Sequence, residues 1–217
     1  MLTVCFALQG ESCRGSGLAH GAIMARAIRQ HLPSARLVQL SNLIYPALPG
    51  VDLVLRRENT GDFIRWAFRS MLDLFDCTDG PILQLATDIV VRRDVSEVFE
   101  QSFDVAACRY PLMDRTDGAY CGDTNFIQPS GRHVWKEALG HYERTPAIQN
   151  GWEGGQTAML WALQQPGVAV LDLDFHTYNF TPERPGQIPE TAAIVHYRGL
   201  RKTFMMHDQI QEVAYAV

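Results

Sequence analysis

Short apolar runs alternate along this chain with longer segments whose apolar residues recur at helical spacing. That alternation constrains the fold more than any other feature. Strands are expected at residues 2–8, 36–40, 82–85, 104–108, 125–128, 168–173 and 192–196. Helices are expected at 18–32, where Pro33 stops the pattern, and at 62–75, 95–99, 132–142 and 155–164, the last ending before Pro166. In the second helix Ile64, Phe68, Met71, Leu72 and Phe75 share one side. Strands alternating with helices predict an α/β fold, a mixed and mainly parallel Rossmann-like sheet flanked by helices. Ligands of such sheets bind beyond the carboxyl ends of the strands. In ILQLATDIVVRRDV, Asp88 stands at such an end, with Asp94 further on.

The 217 residues suit one domain spanning 1–217, and 47% apolar content is enough for a substantial core. No apolar run approaches the roughly 20 residues that cross a bilayer. The opening MLTVCFALQG carries no basic segment before its apolar run, so a secretory signal is not expected. Five cysteines, with no CxxC spacing, read as reduced and mostly buried thiols of a cytoplasmic protein. A net charge of −5 opposes broad electrostatic capture of nucleic acid.

Three stretches carry candidate chemistry. RGSGLAHG, from Arg14 to Gly21, places glycines between a strand and a helix, the arrangement that cradles a dinucleotide. Its third glycine falls one residue late, and Gln39 and Ser41 stand where an acidic residue is wanted, so a plain loop is an equal reading. In LDLDFH, a continuous strand would turn Asp172, Asp174 and His176 to one face, either as a divalent-metal cluster or as a solvated acidic face. In IVHYRGLRK a strand delivers His196, Gly199 permits a tight turn, and Arg198, Arg201 and Lys202 follow. An imidazole followed by cations suits a metal and phosphates; a core histidine before a basic loop is the other reading.

Together these pieces resemble the retaining glycosyltransferases of family 8, the glycogenin and lipopolysaccharide galactosyltransferase type, with the GT-A fold. The family's strand ending in D-x-D looks like LATDIVVRRDVSEVFE, and its closing H-x-x-G-x-x-K matches His196, Gly199 and Lys202. Its donor-binding arginine falls on Arg69, seventeen residues before the first D-x-D position. Its D-Q falls on Gly155 and Gln156, its late asparagine on Asn179, and its N-a-G strand on GDTNF, from Gly122 to Phe126. The asparagine match makes Asp172 and Asp174 neighbours of the site rather than its metal pair. Two departures stand out: the first D-x-D aspartate is Ala86, and the aspartate before the glutamine is Gly155.

The resemblance implies transfer from a nucleoside-diphosphate sugar, UDP-linked, with Asp88 and His196 holding Mn²⁺ or Mg²⁺. It implies that Lys202, with Arg201 beside it, steadies the departing diphosphate, that Arg69 positions the donor, and that Leu8, Thr87, Asn125 and Gly199 complete the donor site. It further implies that Gln156 lies near the reacting sugar and that Asp123 and Asn125 bind sugar hydroxyls. Retention of configuration comes from the family alone. Trp152 is a candidate stacking residue, while Trp135 and Trp161 read as core. The acceptor is open between a saccharide, a protein and a modified nucleobase, and the number of subunits is open too. Two alternatives remain: a nucleotide-sugar-binding protein that has lost turnover with its first aspartate, and a fragment of the two-domain GT-B type, for which the chain is short.

Overall fold

The computed structural model describes residues 1–8, 16–58, 61–110, 120–149 and 153–215, the side chains of 16 and 209–215 excepted. Its strands are β1 (Thr3–Leu8), β2 (Arg36–Ser41), β3 (Leu53–Arg56), β4 (Ile82–Leu85), β5 (Ile89–Val91), β6 (Val105–Arg109), β7 (Tyr120–Ile127), β8 (Val170–Leu173) and β9 (Ile194–His196). Its α-helices are α1 (Ser16–His31), α2 (Phe63–Phe75), α3 (Arg132–Arg144), α4 (Glu153–Leu163), the short α5 (Phe175–Tyr178) and α6 (Lys202–Tyr215). Seven strands form one sheet in the order β3-β2-β1-β4-β7-β6-β8, and β5 and β9 form a separate pair. The sheet is mostly parallel; β7 alone runs against its neighbours β4 and β6.

The sheet is covered on both faces, which is why β1 reads as an unbroken apolar run rather than an alternating one. Val4, Phe6 and Leu8 join one core cluster with Ile23, Met24 and Ile28 of α1. Cys5 points the other way, into a cluster built largely from α2, α3 and α4. Each fully buried Phe or Leu here contributes roughly 1.5–3 kcal/mol. The start of α2 is fixed by Asp62, whose carboxylate accepts from the Arg65 N–H at 3.0 Å, a cap worth about 1 kcal/mol. The Tyr142 hydroxyl donates to the same carboxylate at 3.2 Å and ties α3 to α2.

Several elements differ from the sequence expectation. β3 and α6 were not foreseen; β3 is a short edge strand with no fully buried residue. β7 is eight residues long and begins at Tyr120, well before the expected start at 125. The strand expected at 168–173 is shorter, and Asp174 lies beyond its end as the N-cap of α5.

Three features of the topology build one end of the molecule. β1 and β4 are parallel, so Leu8 and Leu85 finish at the same edge. β7 is antiparallel to β4, so its early residues arrive there too, and the Ala86 N–H donates to Asp123 O at 2.9 Å. The β5–β9 pair places Ile89 opposite His196, and the Tyr197 N–H donates to Asp88 O at 2.9 Å. Beyond β9, Gly199 adopts φ +56°, a left-handed conformation costly for other residues, and turns the chain into α6 with Lys202 at its start.

Candidate active site

A cavity of about 620 Å³ opens at this edge. Asp88, Asp123, Asn125, Gln156, His196 and Lys202 all line it, and so do Thr87 and Gly199. They come from the end of β4, from β7, from the first turn of α4 and from the β9–α6 turn, four places far apart in the chain.

Asp88 is 8% exposed. One carboxylate oxygen lies 3.5 Å from His196 Nε2, and Lys202 Nζ lies 3.1 Å from the other. Burial works against the Asp88 charge, but the hydrogen bond and charge of His196 and the charge of Lys202 outweigh it and pull the pKa down to about 2. His196 is 3% exposed. Burial opposes its charge as well; the Asp88 hydrogen bond, Cys121 and the Asp123 charge overcome it and push the pKa up to about 9. His20 of α1 also faces the cavity, and burial and the Lys202 charge hold its pKa below the usual imidazole range.

On the far side of the imidazole, Nδ1 lies 3.2 Å from Asn179 Oδ1 and 4.0 Å from Asp123 Oδ2. Arg198 Nε points at the same Nδ1 from 3.1 Å, and an Arg198 terminal nitrogen donates to Cys121 Sγ at 3.0 Å. Asn179 is fully buried and donates to Cys121 Sγ at 2.8 Å. The guanidinium of Arg198 stacks over Tyr110 at 4.3 Å and lies 5.7 Å from the Phe175 ring. Sequence reasoning gave Cys121 no role. It noted Arg198 only as a cation after His196, since its contacts depend on chain distant in sequence.

Cys121, Asp123 and His196 place ligand atoms within 4.8 Å of one another, a spacing that can hold a metal ion. The donor set fits poorly. If His196 is an imidazolium, Nδ1–H donates to Asn179 and Nε2–H to Asp88, and no ring lone pair remains. If it is neutral, Nδ1 accepts from Arg198 and Nε2 carries the proton toward Asp88. Only the other neutral tautomer, with Nδ1–H toward Asn179, frees Nε2 for a cation beside Asp88, and it sets that N–H against the Arg198 Nε–H. Asp88 is shared between His196 and Lys202, and Ala86 supplies no second carboxylate.

Other expected site residues lie elsewhere. Arg69 is exposed and ion-paired with Glu143 at 2.8 Å. The face of α2 that meets the cavity carries Ile64, Ala67, Phe68 and Met71, and at 100° per residue Arg69 points away from it. Leu8 is buried in the core rather than on the cavity wall. Asp172 does not share a face with Asp174 and His176: it pairs with Arg109 at 3.0 Å and accepts from the Tyr120 hydroxyl at 2.9 Å. Asp174 instead accepts from the Thr177 N–H and hydroxyl at 2.7 and 2.6 Å. Gly199, Gln156 and Thr87 line the cavity. Trp152, Arg14 and Gly15 lie outside the described residues. Trp135 is core, 1% exposed. Cys5, Cys108 and Cys121 are buried free thiols and Cys77 is exposed. Among the described residues no helix is long and apolar enough to cross a membrane.

No protein-family model matches the sequence, and no curated protein matches it. Solved structures do. The galactosyltransferase LgtC, in complex with donor and acceptor sugar analogs, superposes with a TM-score of 0.66 at 16% identity, covering 99% of this chain and 96% of that one. A glycosyltransferase involved in glycosylation of the major capsid of PBCV-1 gives 0.63 at 10% identity, covering 96% and 98%. Apo GlyE of Streptococcus pneumoniae TIGR4 gives 0.62 at 16% identity, covering 99% of this chain and 63% of GlyE. Identities this low speak for fold, and the fold of this chain is the GT-A glycosyltransferase fold.

Proposed function

We propose that this chain is a glycosyltransferase, acting as one domain, that moves a hexosyl or pentosyl group from a nucleoside-diphosphate sugar, UDP-linked, to an acceptor hydroxyl. The observation that carries the reading is the convergence of Asp88, Asp123, Gln156, His196 and Lys202 on one cavity at the carboxyl edge of the sheet. LgtC, of the same fold, was crystallised with donor and acceptor sugar analogs, and another LgtC structure is of an active-site glutamine-to-glutamate mutant. Both support the assignment by analogy of fold.

In this reading the bond from the anomeric carbon to the β-phosphate oxygen breaks, and its electron pair leaves on the diphosphate. The acceptor oxygen bonds to the anomeric carbon, and its proton goes to the departing phosphate. Negative charge grows on the leaving group, and Lys202 lies where a fixed cation can meet it. Asp88 holds Lys202 in place. Gln156 faces the reacting sugar. Asn125 commits its amide nitrogen to Gly122 O at 3.0 Å and Gln84 Oε1 at 3.4 Å, which turns its carbonyl oxygen to a sugar hydroxyl. Asp123 accepts from another hydroxyl. Retention of configuration accords with departure and attack on one face of the sugar.

The test is a panel of nucleotide sugars with simple saccharide acceptors, followed by nucleoside-diphosphate release and product mass. Turnover with one donor above a Lys202→Ala control supports the reading. Tight nucleotide binding with no hydrolysis or transfer from any donor would replace it with a binding protein.

A further inference from the structure

We infer that Arg198, together with Lys202, receives the donor diphosphate in place of a divalent ion, so that donor binding in this chain is independent of metal. The inference rests on the sugar-transfer reading above.

Two cations line the cavity within one short turn. Lys202 is half-exposed; one of its three N–H donors meets Asp88, so the others can reach a phosphate. Arg198 is held by a terminal nitrogen at Cys121 and by its plane on the Tyr110 ring, with Nε lying beside His196. Among the described residues Nη1 has no partner. A guanidinium fixed in this way is a preorganised fork for phosphate oxygens, and it loses little further freedom when the ligand arrives. Gly199 makes the arrangement possible, because its left-handed turn brings the chain from Arg198 to Lys202 at the same cavity mouth.

The same contacts oppose an ion. Of the three groups spaced for an ion, Arg198 already contacts two, Cys121 Sγ and His196 Nδ1. A divalent cation placed there would sit against a permanent positive charge. Ala86 removes the first carboxylate of the D-x-D position, and Asp88 is paired instead with Lys202. The positive charge that a leaving diphosphate requires is thus built into the chain.

Isothermal titration of the full chain with UDP, and in parallel with ADP, CDP, GDP and dTDP, is run once in EDTA and once in MnCl₂. The nucleotide that binds is expected to show the same Kd in both media to within about threefold. Arg198→Gln weakens it by about tenfold or more in both, and Arg198→Lys, which keeps the charge but not the fork, recovers only part. Binding that is present in MnCl₂ and lost in EDTA overturns the inference and leaves the transfer reading standing. No binding in either medium overturns both. Wild-type affinity in Arg198→Gln removes Arg198 from the role. Circular dichroism checks the folding of the variants, and if Arg198→Gln is unfolded, the wild-type comparison between media decides alone.

Discussion

Gly155 stands where the resemblance has an aspartate, and the packing around it sets a measurable cost for any side chain there. A Cβ built on Gly155 lies 2.9 Å from Ile64 Cδ1 and 3.1 Å from Ile64 Cγ2, against the ~3.5–4.0 Å at which carbon atoms attract. Ile64 lies on α2, where a β-branched side chain keeps one preferred χ1 rotamer, so Cγ2 cannot yield unless the whole side chain rotates. Overpacking of this kind costs about 1–3 kcal/mol. Replacing glycine by alanine regains about 1 kcal/mol in a helix interior and less in a first turn such as this one. The steric cost wins. Gly155→Ala is expected to destabilise by about 1 kcal/mol, which lowers Tm by about 2–4 °C in a chain of this length. Thermal melts of Gly155→Ala, Ile64→Ala and the double variant form a cycle, and removing Ile64 atoms beyond Cβ should cancel the penalty, with a coupling of about 1 kcal/mol. A higher Tm in Gly155→Ala, or a coupling within about 0.3 kcal/mol of zero, would show that α2 and α4 are not packed as described.

Ala86→Asp restores the missing carboxylate, and a new charge about 6 Å from a phosphate costs about 3 kcal/mol at an effective dielectric near 20. Nucleotide affinity in EDTA should therefore fall by about a hundredfold and be recovered by MnCl₂; unchanged affinity in EDTA would mean the position does not face the phosphates. Lys202→Ala should lower kcat by about a hundredfold or more with the active donor, and a loss under about threefold would remove Lys202 from the leaving-group role. Asp104, buried, accepts from the Ala169 N–H at 2.9 Å; burial raises its pKa, but the Ser130 hydroxyl and that N–H outweigh it and hold the carboxyl below the usual range. Asp52 is held low by Arg29 and the Leu37 N–H. Both folded values lie below the unfolded one, so this stability is complete above about pH 4 and lost as pH falls below it. Thermal melts from neutral pH to about pH 3 should decline more shallowly at the acid end in Asp104→Asn.

The sheet was legible because mostly buried strands leave short apolar runs with few polar residues, as in residues 2–8 and 82–85. β5 left no such signature. Its three residues follow Asp88 directly, and its partner is the distant β9, so periodicity cannot separate it from the run before it. β5 and β9 nevertheless decide the site. Asp88 and His196 are each visible in a motif, but their meeting at 3.5 Å comes from a ladder that only the tertiary structure reveals. Arg69 failed for the opposite reason. It lies seventeen residues before the D-x-D position, but its helical phase turns it toward Glu143. LDLDFH failed because a strand face was assumed to continue past Leu173, where an aspartate that caps a helix ends it.

The departures from the family pattern have one sign. Ala86 and Gly155 each stand where the resemblance has an aspartate, and the same cavity carries Arg198 and Lys202. A divalent ion reverses the effect of the carboxylates that hold it, so a site with an ion tolerates them near a diphosphate. Without the ion, each such carboxylate repels the phosphates at close range in a medium that screens poorly. On the inference drawn above, both losses remove repulsion. Asp88, kept next to the cations, is paired at 3.1 Å with Lys202 and turned toward His196. Its remaining role is positional: it keeps a long, flexible ammonium at the cavity mouth at the expense of part of that charge. The balance predicts a specific asymmetry. Asp88→Asn should raise affinity for a bare nucleoside diphosphate, since Lys202 is released, while lowering transfer rate, since the cation is no longer fixed where charge develops. A variant that lost both together would make Asp88 a direct participant in donor binding and would return the case for an ion in this site.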